Sequence, residues 1–136
     1  MRTKDCADIG PSKDPRESPR KIFLVEDEAL IRMMLVDMLE ELGHAVVAEA
    51  GHIEDALRLA HDSGFDIAIL DINLGGSTSL PVAEILAKRA VPFVFASGYG
   101  EADVPECFKN RPMLRKPFHV DDLDRAIQAA VAEHGN

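Results

Sequence analysis

The stretch Ala68-Ile69-Leu70-Asp71-Ile72-Asn73 is a short apolar run interrupted by a single carboxylate, with Gly75-Gly76 just beyond it. Its length and branched side chains predict a buried strand from Asp66 to Leu70, ending on Asp71. Asp71 then sits at the carboxyl edge of the strand, facing a glycine loop expected to be flexible. In open α/β sheets, chemistry collects at that edge.

The chain on either side repeats the same unit. Lys21-Ile22-Phe23-Leu24-Val25 predicts a first buried strand, stopping at Glu26-Asp27-Glu28. Leu30, Ile31, Met34, Leu35, Met38, Leu39 and Leu42 recur at helical spacing, with Gly43 as the stop. The Met33, Met34 and Met38 group is expected in the core. His44 to Ala50 predicts the second strand, and Ile53, Ala56, Leu57 and Ala60 a second helix closed by Gly64. After the glycine loop, Ser77 or Ser79 can cap a helix with Pro81 in its first turn, running to about residue 89.

Val91-Pro92-Phe93-Val94-Phe95-Ala96 predicts the fourth strand, followed by the turn Ser97-Gly98-Tyr99-Gly100. Pro105 breaks the pattern between Glu101 and Arg111, where a short or mobile helix is expected. Met113-Leu114-Arg115 predicts a fifth strand ending at Lys116-Pro117. Val120, Leu123, Ile127, Ala130 and Val131 mark the last helix. Strict alternation implies a parallel sheet covered on both faces, with right-handed crossovers. The expected fold class is α/β, a flavodoxin-like (βα)5 three-layer sandwich with strand order 2-1-3-4-5. All strand carboxyl ends then share one edge, which gathers Glu26, Asp27, Asp71, Ser97 and Lys116.

Composition agrees with one domain. The 136 residues are 46% apolar and 29% charged, ordinary values for a globular protein. Net charge is −9, and residues 21–136 alone carry ten basic against twenty acidic side chains, or −10. That balance disfavours nucleic acid or an anionic membrane as the partner. Residues 1–19 mix Pro11, Pro15 and Pro19 with charges and show no apolar periodicity, so a disordered tail is expected before a domain at 20–136. Cys6 and Cys107 lack metal-ligand spacing, and no apolar run reaches the length of a membrane span. A cytoplasmic location is expected.

Two carboxylates about 5 Å apart repel by roughly 3 kcal/mol at an effective dielectric near 20. Three of them need positive charge, from Lys116 or from a divalent cation. Oxygen-only ligands favour magnesium, which accepts one or two carboxylates plus a phosphoryl oxygen. A metal, a lysine, a hydroxyl and one outward carboxylate suit phosphoryl transfer. Asp71 can attack in line while Ser97 donates a hydrogen bond to a phosphoryl oxygen.

The ordered set Glu26-Asp27, Asp71, Ser97 and Lys116-Pro117-Phe118 resembles the receiver domain of two-component response regulators, over residues 21 to about 134. Pro92-Phe93-Val94-Phe95-Ala96-Ser97-Gly98-Tyr99 further resembles the stand-alone "FAT GUY" receivers of alphaproteobacteria. The resemblance implies a phosphoprotein in which Asp71 takes phosphate from a phosphohistidine on a sensor kinase. It implies that Asp27, Asp71 and the carbonyl of Asn73 ligate Mg2+, with Glu26 acting through a metal-bound water. Lys116 would contact the phosphoryl group, through a residue whose peptide to Pro117 is cis in relatives. Ser97 would move toward the phosphate and draw the next loop with it. The subgroup resemblance implies a kinase of the HWE/HisKA2 type, and output through a histidine phosphotransferase or a downstream protein bound at the 97–116 face.

The chain departs from the family pattern in three places. Serine replaces the common threonine at Ser97, and Glu26 stands where aspartate is common. Met113 occupies the position of the usual aromatic switch, leaving Tyr99 as the substitute.

Other readings compete with these. Glu26-Asp27-Glu28 alone fits a charged helix start, and Ser97 alone fits a turn. His44, His52, His61, His119 and His134 have no spaced partners and are expected to be solvated. A true enzyme, an aspartate-nucleophile phosphatase of the haloacid dehalogenase type, would share the chemistry of Asp71. Its nucleophile, however, follows the first strand of a larger fold. A degenerate receiver that binds partners without phosphorylation is the remaining option. With no output domain expected after residue 136, the leading expectation is a single-domain regulator, not an enzyme, whose only hydrolysis is of its own Asp71 phosphate.

Overall fold

A computed structural model describes residues 19–97, 108 and 111–134. Strands β1 (Lys21–Val25), β2 (Ala45–Ala50), β3 (Ile67–Asp71), β6 (Phe93–Ser97) and β7 (Met113–Arg115) form one sheet, and two short strands lie between β3 and β6. Its order is β2-β1-β3-β6-β7 with every neighbour parallel, the expected topology in the numbering of this chain. Four helices are described: α1 (Ala29–Glu41), α2 (Ile53–Leu59), α3 (Leu80–Lys88) and α4 (Val120–His134). The helix expected at 101–111 and the tail expected at 1–19 fall outside the described residues, apart from Pro19, Phe108 and Arg111.

The central strands read as continuous apolar runs because both of their faces are covered. Successive side chains alternate between two cores. Ile22, Leu24, Ile67, Ile69, Val94 and Ala96 pack with Leu35 and Leu39 of α1 and Leu123 and Ile127 of α4. Phe23, Val25, Ala68, Leu70, Phe93 and Phe95 pack with Ala56 of α2 and Val82 and Leu86 of α3. Phe23, Phe93 and Phe95 are fully buried, each contributing about 1.5–3 kcal/mol over exposure.

Four local features differ from expectation. The glycine loop after Asp71 is an ordered hairpin, β4 (Asn73–Leu74) paired antiparallel with β5 (Ser77–Thr78). Gly75 and Gly76 have φ of 58° and 99°, the positive values that a two-residue type I′ turn demands. Secondly, β2 skips a partner between Ile22↔Val46 and Phe23↔Ala48. This bulge at Val47 turns Val46 toward one core and Ala48 toward the other.

Thirdly, α1 buries only Leu35 and Leu39 fully, while Leu30, Met33 and Met34 are exposed. The expected core role therefore fails for Met33 and Met34. Their side of the helix turns away from a sheet that Leu35 and Leu39 already cover. Finally, Ser79 occupies the N-cap position of α3 without a side-chain capping bond.

Candidate phosphoryl-acceptor site

Strand register assembles the site. Val25 pairs with Leu70, Asp71 with Ala96, and Ser97 with Arg115. One residue past Val25 comes Glu26, and one past Arg115 comes Lys116, so acid, acid, hydroxyl and lysine line up across four adjacent strands. The backbone bonds Ile72 N–H to Ala96 O (3.0 Å) and Lys116 N–H to Ser97 O (2.9 Å) carry the alignment past the strand ends. The pleat then selects who meets whom. Glu26, Asp71 and Lys116 each continue the parity of the residues packed under α1 and α4, so they converge. Ser97 has the opposite parity.

Lys116 Nζ lies 3.0 Å from Glu26 Oε1 and 3.2 Å from Asp71 Oδ2. The Glu26 and Asp71 side chains are almost wholly buried, while that of Lys116 keeps a little access to solvent. Glu26 Oε2 also accepts the Glu28 N–H at 3.1 Å. Burial first, and then the Glu26 carboxylate, push the Asp71 carboxyl up to about 7, with the Lys116 ammonium opposing. Burial works to lower Lys116, but hydrogen bonds and charge from Glu26 and Asp71 outweigh it and hold it above its usual value. The Lys116–Pro117 peptide is cis.

Asp27 sits at the mouth, more open to water than the other two acids, and one oxygen from each of Glu26, Asp27 and Asp71 fits within a 4.8 Å span. With all three ionised, one lysine leaves the cluster at −2. An oxygen-only set of that charge and spacing fits a hard divalent cation of the Mg2+ class.

Of the remaining expected residues, Asn73 follows in β4, and its N–H points at Asp71 Oδ1 at a long 3.4 Å. Ser97 is buried, and its Oγ has no hydrogen-bond partner among the described residues. Tyr99 lies outside the described residues. His44 departs from expectation. It is buried, and its Nδ1 accepts the Arg20 N–H at 3.0 Å.

Two further residues take part, of which Arg32 was not anticipated. Gly75 in the hairpin turn stands so close to the mouth that a Cβ there would lie 3.4 Å from Asp27 Oδ2. Arg32 reaches from α1 to donate from Nη1 to the carbonyl of Glu26 at 2.6 Å. A signal for Arg32 existed, because a cation near a helix N-terminus opposes the macrodipole and needs another reason to be there.

The chain is similar to known proteins in sequence and in fold. Residues 22–128 match the family described as the response regulator receiver domain. The chain is 37% identical to the transcriptional regulatory protein PdtaR of Mycobacterium tuberculosis, over 90% of its own length and 62% of that protein. It is 28% identical to the phyllosphere-induced regulator PhyR of Methylorubrum extorquens, over 96% of its own length and 50% of that protein. It thus spans only part of these curated relatives. The solution structure of SdrG from Sphingomonas melonis superposes with a TM-score of 0.76 at 46% identity, covering 83% of this chain and 97% of SdrG. The family match sets aside the haloacid dehalogenase reading and makes residues 22–128 a signalling receiver domain. With Asp71 at the centre of an acid, hydroxyl and lysine edge, and the family match running from β1 into α4, the chain belongs to the response regulator receiver domains.

Proposed function

We propose that this protein is a response regulator that takes a phosphoryl group on Asp71 from a phosphohistidine of a sensor kinase. Residues 20–136 act as the signalling unit and residues 1–19 as an appendage to it, in the cytoplasm. The observation that carries this reading is the buried Asp71 carboxylate, 3.2 Å from Lys116 Nζ within a cluster of three acids. Asp27, Asp71 and the Asn73 carbonyl would hold Mg2+, with Glu26 behind them. When bound, the metal supplies charge neutralisation and orientation for the phosphoryl oxygens.

The chain's own groups do the rest. An Asp71 oxygen attacks phosphorus in line, the P–N bond of phosphohistidine breaks, and the imidazole leaves with its electron pair and takes up a proton. Lys116 draws the transferred group toward itself by charge, holding its oxygens as they gain negative character. Burial of Asp71 keeps competing water away. Ser97 Oγ, with its hydrogen-bonding capacity unspent, donates to the new phosphoryl group. Turning it inward moves the backbone from residue 97 onward, with Tyr99 as the switch residue in place of an aromatic at Met113.

The 97–116 face then selects the output protein or a histidine phosphotransferase. A kinase of the HWE/HisKA2 type is the donor, and neither nucleic acid nor membrane is a partner. No described helix is long and apolar enough to cross a membrane.

A small-molecule phosphodonor with Mg2+ should add the mass of one phosphoryl group to the intact chain, measured by mass spectrometry. The Asp71→Asn variant and a chelator-treated sample should gain nothing. Equal gain by the variant would overturn the assignment. No gain by the native chain would leave the phosphorylation-independent receiver.

A further inference from the structure

We propose that Arg32 is a positioning residue for the acid pair, and that residue 51 is glycine to leave room for its guanidinium. The inference rests on the phosphoacceptor reading and deepens it. Glu26 and Asp27 share one peptide unit, so the Glu26 carbonyl and the Asp27 N–H lie in one rigid plane. Arg32 Nη1 donates to that carbonyl at 2.6 Å, a charge-assisted bond to a group at the mouth of a partly buried pocket. Fixing the plane fixes both Cα atoms from which the two carboxylates hang. From the other side the Glu26 N–H donates to Ala50 O at 3.0 Å, so residue 26 is held at both its donor and its acceptor.

Gly51 follows Ala50 and completes the arrangement. A Cβ at Gly51 would lie 2.8 Å from Arg32 Nη1 and 3.6 Å from the Glu26 carbonyl oxygen. Gly51 is not among the positive-φ residues, so backbone freedom does not account for the glycine. Space for the guanidinium does. An added methyl would displace the end of a flexible side chain without colliding with the backbone. Arg32 Nε also lies 3.3 Å from Glu49 Oε1. That pair is half open to solvent and contributes little on its own, but it sets the plane of the fork so that Nη1 faces the carbonyl.

The test uses Arg32→Met, which keeps the apolar stem, Gly51→Ala, and the double variant. Mg2+ affinity is read by calorimetry, and unfolding of the metal-free chain by differential scanning calorimetry. Each single variant should weaken Mg2+ binding by about tenfold, as loss of a group that orients metal ligands does. The double variant should be no weaker than Arg32→Met alone, because both act on one contact. Arg32→Met with native Mg2+ affinity, even with a lowered melting temperature, would make Arg32 merely structural and overturn the proposal. Additive losses would do the same. If Arg32→Met does not fold, Gly51→Ala carries the test, since it retains every side chain of the site. A native chain that binds no Mg2+ would overturn the phosphoacceptor reading and this inference together. Native binding matched by both variants would overturn the inference alone.

Discussion

At the scale of the residue, folding strongly alters Asp71. Its carboxyl is raised from 3.8 to about 7 by burial and by Glu26. In the metal-free protein the native state therefore holds a proton that the unfolded chain releases. The native state is stabilised fully below the unfolded value, and that gain is lost as pH rises through about 7. Asp71→Asn removes the buried charge and keeps the shape. With a chelator present, it should melt several degrees above the native chain at about pH 8, with the advantage shrinking toward about pH 5.5. Equal melting temperatures at both pH values would show that burial and Glu26 together do not raise the Asp71 carboxyl. The acids, Ser97 and Lys116 were legible as residues because strand ends in an alternating chain share one edge. That Glu26 is deeply buried and paired with Lys116 was not, since side-chain parity depends on where each strand stops.

At the scale of the element, two junctions stand out. The Gly75-Gly76 turn pins the hairpin over the mouth of the site. Gly75→Val forces a branched side chain into a positive-φ position and toward Asp27. The expected cost is about 1–3 kcal/mol of stability, read by denaturant unfolding, together with weaker Mg2+ binding. The second junction is His44, between α1 and β2, whose Nδ1 accepts the Arg20 N–H where β1 begins. Burial pushes this imidazole below its usual value, Asp124 opposes that, and Arg20 reinforces it. The unfolded chain binds the proton more readily, so this contribution to stability is lost as pH falls below about 6.5. His44→Gln should flatten the acid side of the melting-temperature profile relative to the native chain, and an unchanged profile would dismiss the effect. The helices and long strands were readable from periodicity. The hairpin carried a readable glycine pair, whereas the bulge at Val47 left no local signal because it arises from pairing with β1.

At the scale of the molecule, the site joins strands that are far apart in the sequence and brought side by side only by the sheet. β1 supplies Glu26 and Asp27, β3 supplies Asp71, and β7 supplies Lys116 from the far edge. A cation bound there should stabilise the whole sheet by mass action. At a concentration one hundred times its dissociation constant, Mg2+ should add about 2.7 kcal/mol to unfolding. Loss of that increment in Asp27→Ala, measured by thermal melting with and without chelator, would tie it to the acid cluster. The three rings Phe93, Phe95 and Phe108 lie edge-on at 5.3–5.8 Å. They couple β6, which carries Ser97, to the chain just before β7.

The sequence by itself determined the alternation of strands and helices, the parallel sheet and the edge on which Asp71, Asp27 and Lys116 meet. Those follow from period and order, which are local properties of the chain. Only the tertiary structure decided that Met33 and Met34 face outward, that His44 is buried, and that Arg32 grips the Glu26 carbonyl beside Gly51. These are contacts between segments distant in the chain or turned by a helix's seating. Neither distance nor seating is written in any single stretch of residues.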